Sequence, residues 1–170
     1  SAGVVLKDGE NLAAAGDLFA AFDEDGDVRG VAVQVDGFGP TAGQIMYEMT
    51  MGSNADSVII SFKYYDASED AVLDVVEIYS FKTNEQQGDL IDPVFYNIAF
   101  VTLSFSNATL SSVDITYDSN VEIYGFQLNV EGVTLTEATS AFTMTSSGNN
   151  TAVGFMMSSP SLPAGDGTLV

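Results

Sequence analysis

The sequence has no cysteine, no histidine and no tryptophan, and only four of its 170 residues are Lys or Arg. Without Cys there is no disulfide staple. Without His or Cys there is no Ser-His-Asp triad, Cys-His dyad, tetrahedral zinc site, haem ligation or iron–sulfur ligation of the usual kinds. So few cations argue against nucleic acid as a direct partner, because phosphate neutralisation needs Lys and Arg in number. No run approaches the ~18–20 apolar residues of a membrane span, and no signal peptide is visible. The first residue is Ser1, which reads as removal of an initiator Met or as cleavage of a longer precursor.

What is present is acid and grease. Asp and Glu number 24, for a formal net charge of -20, while 46% of the residues are apolar or aromatic and only 16% are charged. That apolar content is enough to build a core, so an ordered chain is expected. A carboxylate-rich surface stays soluble by self-repulsion and suits salty water, where screening shortens that repulsion to ~8 Å or less. A marine or halophilic setting and a generic acidic extracellular domain both fit. The length suits one or two small domains.

Helical periodicity is nearly absent. Its best candidate, Asn11 to Ala21, is interrupted by Gly16 and Asp17, and Leu18 to Phe22 reads as a strand. Period-2 alternation is plentiful. Val28 to Val35 reads as a strand following the acidic turn Asp23-Glu24-Asp25-Gly26-Asp27, which predicts a hairpin. Ile45, Tyr47, Met49 and Met51 share one face, as do Val58, Ile60, Phe62 and Tyr64. Val72 to Phe81 is a third long run. Beyond it come Val101, Leu103 and Phe105; Val113, Ile115 and Tyr117; Tyr124, Phe126, Leu128 and Val130; Val133 and Leu135; Phe142 and Met144; and Val153, Phe155 and Met157. Turn signals every ~8–12 residues predict an all-β sandwich or barrel. The pattern restarts after Asn97, beyond the Asp92-Pro93 step, so two small antiparallel modules of immunoglobulin-like or jelly-roll-like type are expected, packed end to end, over residues 1–97 and 98–170. One continuous sandwich is the competing reading.

Residues 17–97 resemble a module that recurs in large secreted and surface-associated proteins of marine and gut bacteria and in some marine phage structural proteins. The resemblance lies in Asp17-Leu18-Phe19-Ala20-Ala21-Phe22, Gly26-Asp27-Val28-Arg29-Gly30-Val31-Ala32, Ile60 to Ser68, Tyr79-Ser80-Phe81, Gly88 and Asp92-Pro93-Val94. Residues 100–170 resemble the cohesin and carbohydrate-binding-like sandwich family, through Ile123-Tyr124-Gly125-Phe126-Gln127-Leu128-Asn129-Val130 and Leu162-Pro163-Ala164-Gly165-Asp166-Gly167-Thr168-Leu169. In that family a further strand follows this motif. The resemblance therefore implies a module lacking its last strand, with an open assembly edge at Gly167, Thr168, Leu169 and Val170. It implies a non-catalytic module and carries no catalytic residue.

Candidate chemistry is confined to acids. Asp23, Asp25 and Asp27 form one candidate calcium cluster, and Asp66 and Asp70, with Glu69 and Asp74, form another, because hard cations need several oxygens from a tight turn. In the first, Gly26 occupies the fourth position and Gln34 the twelfth, which is not an EF-hand. A solvated turn is the competing reading of each. Asp114, Asp118 and Glu122 are a third, surface set. Glycoside hydrolysis needs paired carboxylates ~5–9 Å apart in a sugar-stacking cleft, and no such signature is visible. Arg29, the sole arginine, is expected to clamp a carboxylate of the acidic turn; Lys63 is expected at a rim or in an ion pair. The Tyr and Phe residues read as core packing, with a ligand-stacking platform as the alternative. Asn107-Ala108-Thr109 and Asn149-Asn150-Thr151 are glycosylation sequons. The expected protein is a structural or adhesive, non-enzymatic component of an extracellular assembly or virion surface, for example a capsid decoration protein. It is expected to act on protein partners or on itself, without an obligatory cofactor. The alternative is a carbohydrate-binding module, with or without calcium.

Overall fold

The computed structural model describes residues 1–156 and 161–170, so Met157 and Pro160 lie outside the described residues. The fold is all-β, with no α-helix among the described residues. It divides into two compact units, Ser1–Ala99 and Phe100–Val170.

The first unit is a two-layer sandwich. One layer holds β1 (Ala2–Lys7), β2 (Glu10–Asn11), β5 (Val33–Asp36), β6 (Ile45–Glu48) and β9 (Val94–Asn97). The strand order is β2-β1-β6-β5, with β9 pairing β1 in parallel, so the sheet is mixed rather than purely antiparallel. The other layer is antiparallel, in the order β4 (Val28–Val31), β3 (Leu18–Phe22), β7 (Ile59–Asp66) and β8 (Ala71–Ser80). The segment expected as one strand from Val28 to Val35 is divided at Ala32. Its first half stays beside β3, and its second half crosses to the other layer beside β6. The Ala32 N–H still donates to Phe19 O at 2.8 Å, so the crossing residue keeps its backbone partner.

Alternation places Phe19 and Ala21 of β3 and Ile60, Phe62 and Tyr64 of β7 on the inner face, with Val5, Tyr47 and Tyr96 opposite. The Phe19 ring lies 5.6 Å from Phe62, 5.6 Å from Tyr47 and 4.9 Å from Tyr96, centroid to centroid. Such ring clusters add directional packing to apolar burial. Val4 and Met46 are also fully buried, so the mixed layer is covered on both faces. Gly3 is required there. A Cβ on it would sit 2.5 Å from the Tyr96 ring.

The second unit stacks two three-stranded sheets. One has the order β10 (Val101–Ser106), β11 (Asp114–Ser119), β15 (Gly165–Thr168), and the other β12 (Gly125–Asn129), β14 (Thr151–Phe155), β13 (Met144–Gly148). Its core is small: Tyr117, Ile123, Phe142, Leu162 and Leu169, with Phe126 and Leu128 packed against them. One expected strand is absent here. Val133 and Leu135 form no strand. Val101, Leu103 and Phe105 of β10 remain 49%, 43% and 79% exposed, because this thin core has nothing to lay over them. The inner face of β14 carries Ala152 and Gly154 rather than Phe155, which is 44% exposed. The Phe126 ring occupies the space that a side chain on Gly154 would need, so small residues must face inward.

Replacing Phe19 with Ala is expected to cost ~3–5 kcal/mol, as for a fully buried aromatic. Phe155→Ala is expected to cost under ~1 kcal/mol. Denaturant unfolding of both variants measures the difference.

Candidate functional site

Between β3 and β4 the chain reverses through Gly26, whose φ of 84° is easy only for glycine. Asp23 organises the reversal. Its Oδ1 accepts the N–H groups of Asp25 at 3.1 Å and Asp27 at 2.9 Å, and its Oδ2 accepts Arg29 Nε at 2.7 Å and Arg29 Nη2 as well. Arg29 thus clamps the hairpin as its composition suggested, with both nitrogens on one carboxylate oxygen. Its hydrogen bond is the main reason that the Asp23 carboxyl titrates below its ordinary value, helped by the backbone N–H groups of Asp27 and Asp25. Asp27 stands 3.9 Å from the same guanidinium, and Asp25 is exposed.

The second turn, between β7 and β8, works in the same way. Asp66 Oδ1 accepts the Ser68 hydroxyl at 2.7 Å, the Ser68 N–H at 2.9 Å and the Glu69 N–H at 3.2 Å. The Ser68 hydroxyl is the main cause of its lowered pKa. Asp70, in the left-handed region at φ 50°, accepts the Tyr65 hydroxyl at 2.8 Å and pushes that phenol's pKa up. In the third set, Asp114 accepts from Asn107 at 2.8 Å and Glu122 from Tyr124 at 2.6 Å. Among the described residues no three acids converge into a cation-sized cage. The structure brings Asp23 and Asp27 together around Arg29 and commits Asp66 to its own turn.

One acid had no distinguishing signal in the sequence. Asp17 is buried, and it accepts the Ala14 N–H at 2.8 Å, the Ala67 N–H at 2.9 Å and the Tyr64 hydroxyl. Tyr47 donates to Tyr64 at 3.3 Å, and Gln34 Nε2 reaches Tyr47 at 3.1 Å. This polar chain runs from β7 through β6 to β5, across both layers. Burial, then the bond to Asp17, raises the Tyr64 pKa far above the ordinary phenol range.

Concave sites are modest. A shallow open groove of about 330 Å³ is lined by Phe38, Glu48, Gly88, Asp89 and Leu90, among others. Asp89 is already spent on the N–H groups of Ile91 and Asp92, at 2.7 and 2.8 Å.

The more developed feature is flat. On the outer face of the β4-β3-β7-β8 sheet, Leu18, Val28, Val31, Val72, Val76 and Ile78 are between 37% and 67% exposed. On it Lys63 of β7 pairs with Asp74 of the edge strand β8 at 2.6 Å, with both side chains exposed. Burying a large aliphatic side chain stabilises by ~1.5–3 kcal/mol. Six that are about half exposed hold ~5–9 kcal/mol in reserve, comparable with the lower part of the ~4–15 kcal/mol cost of association. In the second unit β10 carries a smaller apolar strip. At the opposite edge of that sheet, β15 places Gly167 and Thr168 against β11, and Leu169 is buried with its N–H donating to Ile115 O at 2.8 Å. The chain matches no protein-family model, no curated protein and no solved structure.

Two outcomes follow from these acids. The stability that the lowered Asp23 pKa contributes is complete above the unfolded value of ~3.9 and is lost as pH falls through the folded value. Asp23→Asn is therefore expected to flatten the loss of stability below pH ~4, read by acid titration of the circular dichroism. Asp17→Ala leaves the buried Tyr64 hydroxyl without its acceptor, worth ~1–3 kcal/mol, and frees the N–H groups of the exposed Ala14 and Ala67, so a loss of ~1–3 kcal/mol is expected in denaturant unfolding. Asp25→Ala serves as the near-neutral control.

Proposed function

We propose that this chain is a non-catalytic structural or adhesive module, a component of an extracellular assembly or virion surface that works through protein–protein contact. One observation carries the reading: four paired strands present a broad apolar sheet face to solvent, while Asp23 and Asp66, which would have suggested chemistry, are engaged in holding turns. Monomeric soluble proteins rarely leave contiguous apolar patches above a few hundred Å² exposed, and those that do use them for recognition. The charge of -20 fits a saline setting, in which screened copies approach one another. The resemblance of residues 17–97 to surface modules of marine and gut bacteria and phages, and of residues 100–170 to the cohesin and carbohydrate-binding-like family, points the same way, and a capsid decoration protein is one such role.

A glycan array, probed with and without calcium, together with calorimetric calcium titration of the isolated chain, tests this reading. No saturable sugar or calcium binding is expected. Saturable glycan binding abolished by Tyr124→Ala, the most exposed tyrosine at 61%, would replace assembly with carbohydrate recognition.

A further inference from the structure

The assembly reading leaves the partner open, and the outer face of the β4-β3-β7-β8 sheet has the chemistry to choose one. On the outward positions of these four strands, among the described residues, the ionisable side chains are Lys63, Asp74 and the Tyr65 phenol, together with Arg29 at the bulge of β4, which is already paired with Asp23. Asp70 sits at the rim, held by Tyr65. The face is therefore electrically neutral on a chain with 24 acids and four bases. Its one solvent-facing pair of opposite charges stands side by side where β7 meets the edge strand β8, among aliphatic side chains. We propose that this face docks a second copy of the same chain, sheet against sheet, about a two-fold axis that passes close to Lys63 and Asp74.

The choice of occupant follows from charge. In a two-fold interface, residue i meets j and j meets i, so a face must complement itself. A lone acid or a lone base at the centre would meet its own kind. A Lys beside an Asp meets an Asp beside a Lys, and each lysine then lies between two carboxylates. A basic partner would gain nothing from a neutral face, and an acidic one would find no excess of cations. Val72 and Ile78, on β8 to either side of Asp74 and 64% and 67% exposed, supply apolar contact on both sides of the pair. Aligned sheets pack about 10 Å apart with such side chains interdigitated. The remaining charge of the two copies repels at long range, and salt screens that repulsion more than it weakens a covered ion pair. Dimerisation therefore strengthens as salt rises, opposite to an association driven by surface charge.

The proposal rests on the assembly reading but fails separately from it. Sedimentation equilibrium of the whole chain, at low and high sodium chloride, should show a reversible dimer favoured by salt. Ile78→Glu counts twice in a symmetric dimer and should weaken it about a hundredfold. Lys63→Glu and Asp74→Lys should each give a folded monomer by circular dichroism. Mixed in equal amounts, they should form a heterodimer, because the doubly acidic face meets the doubly basic one. A chain monomeric at every salt concentration, a dimer unmoved by Ile78→Glu, or a charge-variant pair that does not associate when mixed would each overturn the self-docking face. If the chain also binds no glycan, assembly with some other partner stands; saturable glycan binding removes the assembly reading itself.

Discussion

The first unit depends on a polar chain through its interior. Tyr64 of one layer donates to the buried Asp17 carboxylate, and Tyr47 and Gln34 of the other layer extend the chain, so the sandwich is tied across its core by hydrogen bonds as well as grease. Asp17 also collects the N–H groups of Ala14 and Ala67, which fixes the entry to β3 and the exit from β7. A network of this kind stabilises only when every member is satisfied, and no buried side-chain polar atom of the described residues lacks a partner. Phe19, Phe62 and Tyr96 pack within the same interior.

That commitment of the inner face is what makes the outer face interpretable. Because Phe19, Ala21, Ile60, Phe62 and Tyr64 are locked inward, Leu18, Val31, Val72 and Ile78 have no core left to join. They are exposed by register, since a slip of one residue would turn every inward side chain outward. The acids follow a related logic. Asp23 and Asp66 serve backbone N–H groups at reversals, where a short carboxylate can replace a missing strand partner. A chain can thus be strongly acidic overall while one of its sheet faces carries a balanced pair.

The strands of the first unit were largely legible. Ile60, Phe62 and Tyr64 alternate cleanly, and the core uses the face they mark. The break at Ala32 was not legible, because the residues on either side of it are equally suited to a strand. In the second unit the alternation of Val153 and Phe155 is real, but it points the wrong way. Periodicity states that two faces differ, and the Phe126 ring over Gly154 decides which one is inside. The turn at Asn149 and Asn150, both at positive φ, joins β13 to β14, so the sequon there falls on a tight hairpin. Asp8 and Gly9 make the same kind of turn between β1 and β2.

The sequence alone determined the class of the fold: period-2 alternation interrupted by Gly, Asn and Asp leaves little but strands and turns, and the absence of His and Cys removes the chemistry that needs an imidazole or a thiolate. Only the tertiary structure decided which apolar residues are core and which are surface. It also decided that Asp17, indistinguishable from 23 other acids in the sequence, lies buried between layers, and that Lys63 and Asp74, eleven positions apart in the chain, meet on one face. The physical reason is that strand pairing and sheet stacking join residues far apart along the chain. Register and layer order set those meetings, and no local pattern of side chains records them.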